Sequence, residues 1–116
     1  MSTPLRLLPG KIALITGGTT GIGRAIALGY VSHGACVAVN YLDNAAGHEQ
    51  FVSMVEEARA LPGVQVGRED VLLSVPGDVS KQSDAKSMVK RTVEKWGRLD
   101  VFVSNAGICE FADFLT

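Results

Sequence analysis

The sequence predicts an α/β fold, a doubly wound parallel sheet covered by helices, and three observations carry that expectation. Short, nearly continuous apolar runs alternate with segments whose apolar residues recur at helical spacing. The runs are built from Val, Ile, Leu and Ala, the composition of strands buried on both faces, and such strands belong to parallel sheets. Glycine and proline stand at the joints, where strands and helices have to stop. The resulting order is strand, helix, strand, helix, strand, helix, strand. That alternation argues for right-handed βαβ units within a single domain over residues 1–116.

The first strand is read in Lys11-Ile12-Ala13-Leu14-Ile15-Thr16, between Pro9-Gly10 and Gly17-Gly18. Ile22, Ile26, Gly29, Tyr30 and His33 then follow at helical spacing, and Gly34 supplies a stop. Ala35-Cys36-Val37-Ala38-Val39-Asn40 is the second strand. In the second helix Phe51, Val52, Val55, Ala58 and Leu61 share one face, and Pro62-Gly63 ends it. Residues 64–70 show no period and read as a loop, after which Val71 to Val75 forms the third strand. Ser80 stands where an N-cap belongs for a third helix whose stripe is Ala85, Met88, Val89, Val93 and Trp96, ahead of Gly97. Val101-Phe102-Val103-Ser104 is the fourth strand.

A chain of 116 residues can bury one core but not two. With 47% hydrophobic and 20% charged residues it lies far from the composition of a disordered segment. A net charge of -1 gives no reason to expect nucleic acid or an anionic membrane as partner. Lys81, Lys86, Lys90, Arg91, Lys95 and Arg98 do gather in one stretch, but Asp84 and Glu94 interrupt it, which describes a solvated helix face. No apolar run reaches membrane-spanning length, and residues 1–8 lack the pattern of a secretory signal. Cys36 and Cys109 have neither metal-ligand nor CxxC spacing, so no metal site is expected, and Cys36 reads as a buried thiol. His33 and His48 have no partner at ligand spacing. These features together suit a reducing, cytoplasmic setting.

The joint after the first strand is distinctive. Thr16-Gly17-Gly18-Thr19-Thr20-Gly21-Ile22-Gly23 packs four glycines into seven residues between a strand and a helix. Glycine allows a sharp turn and close backbone approach to a ligand, and the positive end of the helix then faces that ligand, an arrangement suited to a pyrophosphate. Thr19 and Thr20 add hydroxyl donors. The pattern G-x-G-x-x-G does not fit, since its last position would fall at Ile26 when counted from Gly21. T-G-x-x-x-G-I-G does fit. With Asp78-Val79 after the third strand and the Arg98-Leu99-Asp100-Val101-Phe102-Val103-Ser104-Asn105-Ala106-Gly107 segment, the chain resembles the short-chain dehydrogenase/reductase family over essentially its whole length.

That resemblance implies the N-terminal βαβαβαβ portion of a Rossmann-like domain binding NADP or NAD. Gly17, Thr19, Thr20, Gly21, Ile22 and Gly23 would hold the pyrophosphate and neighbouring ribose, and Asp78 and Val79 would contact adenine. Asn105, Ala106 and Gly107 would lie along the adenosine and nicotinamide ribose, with Asn105 also bracing the sheet. At the end of the second strand, an acidic residue would accept the ribose 2′-hydroxyl and repel a 2′-phosphate. The sequence has Asn40 and Tyr41 there, with Asp43 too late to reach, so the phosphate is permitted though not visibly clamped. The expectation is NADP, or both cofactors with mild preference.

The family's chemistry would need a Tyr-x-x-x-Lys pair, a Ser and a relay Asn. Tyr30 is followed four residues on by Gly34 and Tyr41 by Ala45, so no catalytic residue is assigned and the 116-residue chain is expected to be inactive alone. The fourth strand would then be an unpaired apolar edge, which predicts marginal stability and a complete protein about twice as long. For substrate, Ser104-Asn105-Ala106-Gly107-Ile108-Cys109-Glu110-Phe111, with Phe114-Leu115 behind it, resembles the L-rhamnose-type sugar 1-dehydrogenase branch. Val39-Asn40-Tyr41 keeps the acyl-carrier-protein ketoreductases open. A non-catalytic NADP-binding module is the alternative of a different class. The expected partners are a small-molecule substrate and, for the full-length form, further copies of itself in a dimer or tetramer.

Overall fold

The computed structural model describes residues 7–61 and 71–105. Within them run β1 (Ile12–Ile15), α1 (Gly21–Ser32), β2 (Cys36–Val39), α2 (Ala45–Arg59), β3 (Leu72–Ser74), α3 (Gln82–Trp96) and β4 (Val101–Val103). Every pairing is parallel, and the sheet order is β3-β2-β1-β4. Leu14 in β1 lies opposite Ala38 in β2 and Phe102 in β4. This is the expected doubly wound arrangement, with the chain crossing from one side of β1 to the other between β3 and β4. Among the described residues β4 pairs with β1 alone.

The two central strands, β1 and β2, are apolar throughout because both of their faces are covered. Ala13, Ile15, Val37 and Val39 face one side and join Ala27 and Val31 of α1 and Met54 of α2. Leu14 and Ala38 face the other side and join Ala85 and Met88 of α3. Successive strand residues thus feed two separate clusters, as a period of two requires. Cys36 is buried and in no disulfide. Among the described residues, no helix is long and apolar enough to cross a membrane.

The helices are rotated from the expected phases. In α1 the buried residues are Gly23, Ala27 and Val31, while Ile22 is 74% exposed and Gly29 faces solvent. Small residues let α1 sit close on the sheet, and a reading based on large apolar residues misses a face made of Gly and Ala. In α2 the buried positions are Gly47, Met54 and Ala58. Phe51 is half-buried and Val52 exposed. In α3, Ala85 and Met88 are buried as expected, but Thr92 is buried in place of Val93, and its hydroxyl donates to the Met88 carbonyl at 2.8 Å.

Ser80 does not cap α3. The residue before the helix is Lys81, and the Ser80 amide and hydroxyl instead donate to Asp78 Oδ1 at 2.9 and 2.6 Å. Gly97 ends α3 in the left-handed region, where a side chain would be strained (φ 87°). α2 closes at Arg59, and the expected stop at Pro62-Gly63, like the loop after it, lies outside the described residues.

Candidate functional site

All four strands point their C-terminal ends toward one edge of the sheet, where the chain leaves β1 through the glycine-rich turn. Two asparagines from distant parts of the chain hold that turn. Gly17 donates its N–H to Asn40 Oδ1 at 3.4 Å and accepts at its carbonyl from Asn105 Nδ2 at 3.2 Å. Gly18 N–H donates to the Asn40 carbonyl at 2.9 Å. Thr16 is buried and receives the Asn105 N–H on its hydroxyl oxygen at 2.8 Å.

The glycines of the turn serve different needs. A β-carbon at Gly23 would collide with the Gly17 carbonyl oxygen and stand 2.5 Å from Asn105 Nδ2, so this position brings α1 onto the loop. Gly21 has φ 55° with nothing within 4 Å, so there the backbone conformation requires glycine. Thr20 precedes α1 without a side-chain cap, and no acidic residue stands in the first turn. The first amides of α1 therefore meet neither a side-chain cap nor a neighbouring carboxylate of the first turn.

Beside the turn lies a cleft of about 390 Å³. Of the residues expected there, Gly17, Thr19, Thr20, Asn40, Tyr41, Asp78 and Val79 line it. Gly21, Ile22 and Gly23 sit at the start of α1, outside its lining, and Asn105 braces the turn from beneath. Ala106, Gly107 and Cys109 lie outside the described residues.

Asn40 differs from its expected position. Its side chain turns inward at 2% exposure and donates to the carbonyls of Val75 and Gly77 at 3.2 and 3.1 Å, so it ties the first turn to the third. Tyr41 is buried, stacks on Phe51, and shares its hydroxyl with Ser74 Oγ at 2.5 Å and His48 Nδ1 at 3.1 Å. His48, to which the sequence assigned nothing, bridges Tyr41 to Asp43, with Nε2 2.8 Å from Asp43 Oδ1. Asp43 is held there and does not line the cleft.

Asp78 is the one carboxylate in the lining of that cleft. The Ser80 hydroxyl, then the Ser80 amide, hold it below the usual carboxylate range, with Lys81 assisting against the cost of burial. Its own N–H donates to Asp84 Oδ2 at 2.9 Å.

Sequence reasoning missed the outer wall, made by Ala46, Gly47 and Gln50 of α2. Thr19 Oγ1 donates to Gln50 Oε1 at 3.3 Å. Arg24 clasps the same wall: Nη1 donates to the carbonyls of Thr19 and Gln50 at 3.3 and 3.5 Å, Nη2 to Ser53 Oγ at 3.2 Å, and Nε pairs with Glu57 at 3.3 Å. No local pattern marks these residues, because their role depends on how α2 is rotated.

A family model described as short chain dehydrogenase matches residues 11–116. The chain is 43% identical over 109 residues to an L-rhamnose-1-dehydrogenase of Scheffersomyces stipitis, covering 94% of this chain and 40% of that protein. It is 41% identical over 111 residues to an L-rhamnose 1-dehydrogenase (NAD(P)(+)) of a Sphingomonas species, covering 96% of this chain and again 40% of the relative. It thus spans about two fifths of the length of these relatives. Among solved structures, L-sorbose reductase from Gluconobacter frateurii, complexed with NADPH and L-sorbose, superposes with a TM-score of 0.70 at 28% identity, over 87% of this chain and 35% of that one.

Proposed function

Because the chain belongs to the short-chain dehydrogenase family, we propose that it forms the cofactor-binding part of an NAD(P)-dependent oxidoreductase acting on a sugar of the L-rhamnose type. The observation that carries this reading is the glycine turn, pinned by Asn40 and Asn105 and opening onto an uncapped helix start. Such a cradle suits a pyrophosphate, since a β-carbon at Gly23 would displace it and the first amides of α1 meet no side-chain cap. The rhamnose dehydrogenase relatives and the NADPH complex of L-sorbose reductase support the cofactor and substrate class.

In this reading the amides around Gly17, Thr19, Thr20, Gly21, Ile22 and Gly23 hold the diphosphate. Asp78 and Val79 contact adenine, and Asn105, Ala106 and Gly107 lie along the riboses. Asn40 and Tyr41 act from behind, fixing the floor and one wall of the cleft through their buried hydrogen bonds. When bound, the nicotinamide supplies hydride transfer to or from a carbonyl or secondary-alcohol carbon. The residues of this chain contribute binding, orientation and exclusion of water from the diphosphate, and they include no Tyr-x-x-x-Lys pair to move the substrate proton.

The 116-residue chain is therefore proposed to bind the cofactor without turnover. Titration calorimetry with NADP+ and NAD+ and an L-rhamnose oxidation assay, each on the 116-residue chain and on the full-length protein, test this, and turnover by the 116-residue chain overturns it. Binding and turnover by the full-length protein support the reading. Binding without turnover of any sugar leaves a cofactor-binding module. Loss of binding to both dinucleotides sinks the assignment.

A further inference from the structure

The cleft has two ends and a wall between them. The glycine turn occupies one end and Asp78-Val79 the other, so a dinucleotide's adenosine ribose, which joins diphosphate to adenine, spans the middle. Its 2′ carbon falls toward the segment after β2 and whatever faces that segment. Here the facing element is α2, and of the three residues it offers, Ala46, Gly47 and Gln50, one has a polar side chain.

Most of the other polar groups nearby are engaged elsewhere or stand exposed. The Asn40 amide is spent on the Val75 and Gly77 carbonyls and the Gly17 N–H. The Tyr41 hydroxyl is shared between Ser74 and His48, and Asp43 faces His48. Asn44 Oδ1 caps α2 at the Gly47 N–H, and its amide nitrogen, though also a donor, belongs to an exposed side chain at the helix start. Gln50 is half-buried, with Oε1 taken by the Thr19 hydroxyl and its backbone carbonyl held by Arg24. With the oxygen fixed in that bond, both hydrogens of its amide nitrogen are unspent among the described residues.

We propose that Gln50 is the residue that reads the group on the adenosine 2′ carbon, donating from Nε2 to a 2′-phosphate or to a 2′-hydroxyl oxygen. This rests on the dinucleotide reading above. An uncharged donor held rigidly on the ribose wall serves both cofactors. α2 contributes no carboxylate to that wall, and the carboxylate of the cleft lining, Asp78, stands at the other end from the glycine turn. Arg24 stands behind the wall and favours an anion, though Glu57 at 3.3 Å offsets much of its charge. Selectivity thus resides on the second helix, in a side chain locked from the glycine turn by Thr19.

The test measures affinities of the full-length protein for NADP+ and NAD+ by titration calorimetry, in the parent, Gln50→Glu and Gln50→Met. Glutamate adds an acceptor for the 2′-hydroxyl and repels a phosphate, so the NADP+ to NAD+ affinity ratio should fall about tenfold or more. Methionine keeps the length and removes the donors. It should lower the ratio by a smaller factor, through weaker NADP+ binding. Retained NAD+ affinity in either variant shows that the site is intact. An unchanged ratio in both variants, or equal losses for the two cofactors, overturns the role of Gln50 while leaving the dinucleotide site standing. A parent that binds neither cofactor overturns both readings.

Discussion

Three helices begin at the same edge of the sheet, and they begin differently. α2 is closed by its own side chain: Asn44 Oδ1 accepts the Gly47 N–H at 2.7 Å. α3 has an acid in its first turn, Asp84, which accepts the Asp78 N–H at 2.9 Å. α1 has neither a cap nor an acid. Exposed first-turn amides normally find a partner, and α1 is the one of these three helix starts with neither a side-chain cap nor a first-turn acid beside it. The contrast is the one that the proposed diphosphate site at the start of α1 would require.

The largest blow to that contrast should come from Gly23→Val. The side chain would drive α1 off the Gly17 carbonyl, costing about 3 kcal/mol of stability. Losing two amide contacts to a charged diphosphate, at about 1.5 kcal/mol each or more, amounts to a roughly 100-fold drop in NADP+ affinity by calorimetry. Asn40→Asp comes next. An acid at the end of β2 is the obvious route toward NAD preference, yet a carboxylate here would face the carbonyls of Val75 and Gly77 while buried. Urea unfolding should show a loss of about 3 kcal/mol or more. A stably folded variant that prefers NAD+ would mean that Asn40 faces the ribose after all.

A paired comparison sharpens the difference in caps. Asn44→Ala should cost about 1 kcal/mol, whereas Thr20→Ala, at a residue that caps nothing, should cost close to none of that. Urea midpoints of the two variants decide it, and equal losses would erase the distinction between α1 and α2. The smallest effect is acidic. Asp78 titrates below its ordinary value of about 3.9. Its hold on Ser80 is therefore complete above that pH and is lost as pH falls through the lower folded value. The stability difference between parent and Asp78→Asn should be constant near neutrality and shrink below about pH 4, as followed by urea unfolding across pH.

The strands and the glycine turn were legible because their signals are local. A run such as Ile12 to Ile15 has no polar residue to spare for solvent, and four glycines beside it leave few structural alternatives. The rotation of the helices was not legible. Gly23, Ala27 and Gly47 are contact residues because they are small, so large apolar residues such as Ile22 and Val52 point to the wrong face. Ser80 looked like a cap, but α3 starts at Gln82 with Lys81 at the N-cap position, one residue too late for the Ser80 oxygen to serve. The inward turn of Asn40 was likewise invisible, since its acceptors lie 35 and 37 residues further along the chain. Gln50 and Arg24 depend on the same kind of distant partner.

The Asn105 brace has a bearing on the order in which the protein is made. The glycine turn is translated early, but the amide that fixes the Gly17 carbonyl belongs to a residue 88 positions later. Closing so long a loop carries an entropic cost before any contact repays it. On the ribosome, the nascent segment through β3 would emerge with its turn anchored on the Asn40 side alone. The second anchor of the turn, from Asn105, would be added only after β4 has docked against β1, late in synthesis.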